Sequence, residues 1–184
     1  MKTANPDIIP IIFIDEPTIS QLGTSAYVTI SQEEVLGLIS EISDLIKENG
    51  AMSAIHCCGK CDWSLPIKAG VDIINLDAYN FAQNLSLFSK ELDEYLKQGR
   101  KIAWGVVPTL DKGALEAADE QTIISIFEKA VKYLTNKGID EKIIIENSLI
   151  TPSCGAGSLS EDLAFKAMDL TKKVSDSLKE RYKI

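Results

Sequence analysis

Apolar runs of β character alternate with amphipathic stretches along this chain. The runs lie at 8–14 (IIPIIFI), 52–58 (MSAIHCC), 71–77 (VDIINLD), 101–107 (KIAWGVV) and 142–146 (KIIIE). Most are nearly continuous in Ile, Val and other apolar residues, as strands covered on both faces are. Pro10 suits the start of such a strand and not the inside of a central one. Helical stretches with clear punctuation fill the gaps. Ser31 and Glu34 form a capping box ahead of VLGLISEISDLIKEN, and Gly50 stops it. Further helices are predicted over 84–97, closed by Gly99, and over 120–136, ending before Gly138. A last one starts near Ser160 and runs into the basic tail SLKERYKI, and only a short helix fits between Cys61 and Val71.

Repeated strand–helix units imply parallel strands joined by crossovers. Without a low-complexity linker or a composition break, 1–184 reads as a single α/β domain. Five strands make either an open doubly wound sheet or five-eighths of a (β/α)8 barrel. No GxGxxG turn follows any strand and no phosphate-binding P-loop is present, which weakens a nucleotide site.

Composition narrows the partners. Of 184 residues, 45% are hydrophobic and 25% charged, the makeup of an ordinary globular protein. With 27 acidic against 19 basic residues the net charge is −8, which disfavours nucleic acid and anionic lipid. No apolar run reaches the roughly 20 residues of a membrane helix, and no basic segment leads into an apolar stretch at the N-terminus. A soluble, cytoplasmic protein is expected.

The candidate chemistry sits at strand ends. Asp15–Glu16–Pro17 closes the first run, His56–Cys57–Cys58–Gly59 the second, and Asn75–Leu76–Asp77 the third. Trp104–Gly105 and Pro108–Thr109 close the fourth, and Glu146–Asn147 and then Thr151–Pro152–Ser153–Cys154–Gly155 follow the fifth. Every candidate ligand thus falls at the C-terminal end of the sheet, where parallel α/β folds collect their chemistry. The chain's one histidine, His56, stands directly before three of its four cysteines. Residues two apart on a strand face the same way, so His56 and Cys58 point together and Cys57 points opposite. Imidazole nitrogen and thiolate sulfur suit zinc, with Cys154 as a second sulfur. Asp77 is a weak candidate for the fourth position, which water or substrate could take instead. Three protein ligands and one exchangeable position describe a catalytic zinc.

Plainer readings stand beside these. Cys57 is a buried thiol by type. The Cys58–x–x–Cys61 spacing is half a zinc knuckle without its second half, or a redox pair. Asp15 and Glu16 are either substrate ligands or a helix-start cap, and Trp63 and Trp104 are either pocket walls or packing. Asn75 joins Asp15, Glu16 and the two tryptophans as a candidate substrate contact.

The segments IIFIDEP, IHCCGKCDWSL, GVDIINLDAY, AWGVVPT and SLITPSCGAGSL resemble the C-terminal part of the cobalamin-independent methionine synthase family. The resemblance is closer to its short, single-barrel methionine synthase II-like members, within the uroporphyrinogen decarboxylase/methionine synthase superfamily. It covers nearly the whole chain. It implies a (β/α)8 barrel whose zinc activates a thiol substrate such as homocysteine, with His56, Cys58 and Cys154 as zinc ligands. Asp77 falls where the methionine synthases have a glutamate that can ligate the metal. Asp15 falls where they have the acid that binds the substrate's amino group. The methyl donor would be a methylated folate or a methyl-corrinoid protein.

By this resemblance the DEP strand is around the fourth of the barrel, so the chain carries five of eight strands. A truncated gene product, a natural half-length protein and an expressed fragment all fit that beginning at Met1. An open barrel exposes apolar surface and strand edges, so self-association or a partner supplying the other strands is expected. The function expected is a zinc-dependent methyltransferase acting on a thiol, or the zinc-bearing half of one. The alternative is a non-catalytic zinc-binding or corrinoid-protein-interacting module derived from such an enzyme. Uroporphyrinogen decarboxylase-like chemistry needs no metal and leaves the His/Cys set unexplained, and a redox dithiol comes last.

Overall fold

The structure is a computed structural model that describes residues 8–184. The reading made at Met1 therefore lies outside the described residues. One five-stranded parallel sheet runs through the chain in the order β1-β2-β3-β4-β5, with helices alternating between strands. The strands are β1 (Ile11–Asp15), β2 (Met52–Cys57), β3 (Ile73–Leu76), β4 (Lys101–Val107) and β5 (Ser148–Pro152). Among the described residues the sheet is not closed: β1 and β5 are its edges. Contacts group the chain into two compact units, one ending at Asn75 and the other beginning at Leu76, a division that falls inside β3.

In the first unit, β1 pairs with β2 from Ile11↔Met52 to Asp15↔His56. Helix α1 (Gln32–Glu48) follows the expected capping box: Ser31 Oγ accepts from Glu34 N at 3.1 Å, and Glu34 Oε2 accepts from Ser31 N at 2.9 Å. Its buried Ser43 donates to Ser53 Oγ of β2 at 2.9 Å, which ties the helix to the strand. The short helix expected after Cys61 is α2 (Ser64–Lys68). β2 and β3 are buried almost throughout, as the continuous apolar runs require. β1 is different. Ile11, Ile12 and Phe13 are 44–46% exposed, and α1 leaves Leu38, Ile42 and Leu45 exposed along one stripe.

The second unit contains α3 (Ala78–Leu85), α4 (Ser89–Lys97), α5 (Lys112–Ala117), α6 (Glu120–Thr135), α7 (Glu141–Glu146) and α8 (Glu161–Tyr182). The helix expected over 84–97 is thus two, separated by a 3₁₀ turn at Ser86–Phe88. Trp104 of β4 is wholly buried, meets Phe127 of α6 edge-on at 6.0 Å, and donates from Nε1 to Ser148 Oγ at 2.8 Å.

The fifth expected strand is corrected. The run 142–146 lies within helix α7, and the strand is the next segment, Ser148–Pro152. Asp140 starts that helix by accepting from Ile143 N at 3.1 Å, and Ile144 and Ile145 are buried from its inner side. Capping and burial override the β preference of three consecutive isoleucines. β5 pairs with β4 from Ile102↔Ser148 onward, with an irregularity between Gly105 and Val107.

Candidate metal centre

His56 is the penultimate residue of β2, and Cys58 lies one residue past its end. Cys154 lies two residues past the end of β5. One potential ligand atom from each lies within 4.8 Å of the others, so this group could hold a metal ion. Cys58 and Cys154 are half-buried residues, whereas His56 is only 9% exposed.

The histidine carries the clearest sign of a ligand. Its Nδ1 lies 2.8 Å from Asn75 Oδ1, inside the protein. Its Nε2 is buried and has no hydrogen-bond partner. A buried ring nitrogen left without a partner is costly, and a metal ion is one group that would satisfy it. Two sulfurs and an imidazole nitrogen form a donor set suited to zinc and to other soft or borderline ions.

Cys154 is fixed by a local latch. Thr109, buried in the turn after β4, donates from Oγ1 to the Cys154 carbonyl at 2.9 Å and accepts from Cys154 N at 3.1 Å. Thr109 N donates to Ser153 Oγ at 3.1 Å, while Ser153 N donates to the Val107 carbonyl at 2.8 Å. Gly105 makes the close approach possible. A Cβ there would sit 2.5 Å from Leu76 O and 2.8 Å from Ser153 Cα, and neither backbone atom can swing away. In the sequence Thr109 and Gly105 are visible only as strand-end residues. Their task depends on the approach of two segments 45 residues apart.

The other expected site residues fall in varied places. Asp15 is exposed at the end of β1 and is the register partner of His56, so the two side chains leave the same face of the sheet. Glu16 caps the 3₁₀ turn at Pro17–Gln21, accepting from Thr18 N at 2.9 Å, as the capping reading anticipates. Asp77 is outside the His/Cys group. Its carboxylate accepts from Asn80 N at 3.0 Å and Asn80 Nδ2 at 2.8 Å, capping α3. Trp63 and Trp104 are 1% and 0% exposed, a burial that fits the packing reading. Asn75 meets His56 directly.

Cys61, three residues after Cys58, pairs with Cys57 and is not part of the metal group. None of the four cysteines is joined in a disulfide. The Cys61 thiol hydrogen-bonds to Cys57, which brings the Cys57 thiol down to about 7 against the opposing effect of burial. The same hydrogen bond, together with burial, pushes the Cys61 thiol up.

No protein-family model matches this chain, and no curated protein matches it in sequence. Among the described residues, no helix is long and apolar enough to cross a membrane.

Proposed function

We propose that this chain is a zinc-dependent thiol methyltransferase of the methionine synthase II-like kind, or the zinc-bearing part of one. Two observations carry the reading: His56 groups with Cys58 and Cys154, and its Nε2 is buried without a hydrogen-bond partner. Its position at the C-terminal ends of parallel strands is where such folds keep their chemistry. In fold terms the reading is a five-strand segment of a (β/α)8 barrel. A doubly wound sheet reverses strand order at a switch point, and the order β1-β2-β3-β4-β5 contains no reversal.

On this reading Cys58, Cys154 and His56 Nε2 hold the zinc. A zinc ion bound by three protein ligands supplies Lewis acidity that favours the ionised form of a thiol at neutral pH. The reaction forms a bond from the substrate sulfur to a methyl carbon as that carbon's bond to the donor breaks in line. The donor atom is the nitrogen of a methylated folate or the cobalt of a methyl-corrinoid, and the thiol's proton passes to solvent. The partial exposure of Cys58 and Cys154 leaves the centre open to a small thiol. Asp15, on the same face as His56 and in contact with water, suits the ammonium group of an amino-acid thiol such as homocysteine. The buried Thr109–Ser153 latch holds Cys154 to the geometry such a centre needs.

The exposed β1 supports an assembly in which a second copy, or a partner, supplies further strands. The same exposure favours the second reading, a zinc-bearing module that acts only on a corrinoid protein or another chain. Methyl transfer from methylcobalamin to homocysteine by the zinc-loaded protein tests the first reading. Turnover that disappears in His56→Ala is expected. Zinc-loaded protein without turnover, alone or with a chain that completes the sheet, contradicts the enzyme reading and leaves the module.

A further inference from the structure

We propose that Asn75 is the positioning residue of the metal centre: its side-chain carbonyl sets the tautomer and ring orientation of His56. The inference rests on the metal-centre reading above and adds to it a residue that touches neither metal nor substrate. Asn75 Oδ1 lies 2.8 Å from His56 Nδ1. A carbonyl oxygen only accepts, so the proton of the neutral ring sits on Nδ1. Nε2 then carries the lone pair, and it is Nε2 that is buried without a hydrogen-bond partner. The pair is held on rigid elements, His56 on β2 and Asn75 on β3, and both residues are more than nine-tenths buried.

The chemistry follows from what an imidazole must do to bind a cation. A ring nitrogen that carries a proton cannot ligate, so a site built on Nε2 needs the proton kept on Nδ1. An outer partner that accepts from the second nitrogen does this, fixes the plane of the ring, and makes the ligating nitrogen more basic. Removing such a partner typically costs ten- to a hundredfold in metal affinity. Asn75 is therefore a residue that prepares a ligand and is not itself one. The signal in the sequence, an asparagine two residues before an aspartate at a strand end, does not distinguish this task from substrate contact.

His56 is the only histidine in the chain, so the imidazole nitrogens can be read without assignment ambiguity. The test uses long-range ¹⁵N–¹H correlation on metal-free, ¹⁵N-labelled protein at neutral pH, with zinc affinity measured by competition against a chromophoric chelator. The wild type is expected to show a protonated Nδ1 and an unprotonated Nε2. Asn75→Leu is expected to move the ring toward the Nε2–H tautomer and to weaken zinc ten- to a hundredfold. Asn75→Asp keeps an acceptor and is expected to stay within a few fold of wild type. Where the leucine variant does not fold, Asn75→Ala removes the acceptor without the bulk and is read in the same way. An Nε2–H tautomer in the wild type, with zinc affinity intact, overturns the role of Asn75 alone. So does an acceptor-less variant that folds and keeps both tautomer and affinity. A wild type with the Nδ1–H tautomer but no zinc affinity overturns the metal reading, and the assignment of Asn75 with it.

Discussion

Thr109 and Cys154 hold each other from both sides: the threonine hydroxyl donates to the Cys154 carbonyl at 2.9 Å and accepts from the Cys154 amide at 3.1 Å. The two residues lie in the turns after β4 and β5, and the hydroxyl stands where a backbone partner would otherwise be needed. Replacing it with an isosteric methyl leaves a carbonyl and an amide unsatisfied. Thr109→Val is therefore predicted to lower stability by about 1–3 kcal/mol and to weaken metal binding. Thr109→Ser, which keeps the hydroxyl, should retain most of both. Urea denaturation and chelator competition on the two variants measure this. Equal affinity in Thr109→Val and wild type would show that the latch is not needed to place Cys154.

The sequence makes the regular parts of this arrangement visible and hides the side-chain partnerships. β2 and β4 stand out because continuous apolar runs mark strands covered on both faces, and α1 because Ser31 and Glu34 satisfy each other's amides. The His56/Cys58/Cys154 group is legible because strand periodicity puts the first two on one side and strand polarity brings the third to the same end. The fifth strand is displaced by one element because KIIIE has strand-like composition, while the helix signals flanking it, Asp140 and Asn147, are single residues. The tasks of Asn75, Asp77 and Thr109 are unreadable in a linear pattern. Each depends on which neighbour a side chain reaches: a ring nitrogen, the Asn80 amide in the first turn of its own helix, or a distant loop.

Cys61→Ser separates the metal centre from the CxxC spacing. Cys61 is buried beside Cys57 and is absent from the His/Cys group. The variant is predicted to keep wild-type zinc content while losing about 1 kcal/mol of stability, because a hydroxyl is less well accommodated than a thiol at an apolar site. Loss of zinc in Cys61→Ser, measured by elemental analysis of the folded protein, would move the centre toward a Cys58/Cys61 arrangement.

The edge strand gives a prediction in solution. Ile11, Ile12 and Phe13 are each close to half exposed on a strand that, among the described residues, is paired on one side only. Such an edge is a template for further pairing. Light scattering coupled to size exclusion should show concentration-dependent self-association that Phe13→Lys suppresses. A clean monomer at all concentrations, with no partner captured at this edge, would contradict the assembly reading.

The most direct measurement is metal content by mass spectrometry on untagged, freshly purified protein, with His56→Ala and Cys154→Ser beside the wild type. The two positions are 98 residues apart in the chain and belong to one group in the structure. About one zinc per chain in the wild type, lost in both variants, is the result predicted, since a three-ligand site does not survive removal of a ligand. No metal in the wild type, or zinc that persists in Cys154→Ser, would contradict a shared centre and with it the proposed chemistry.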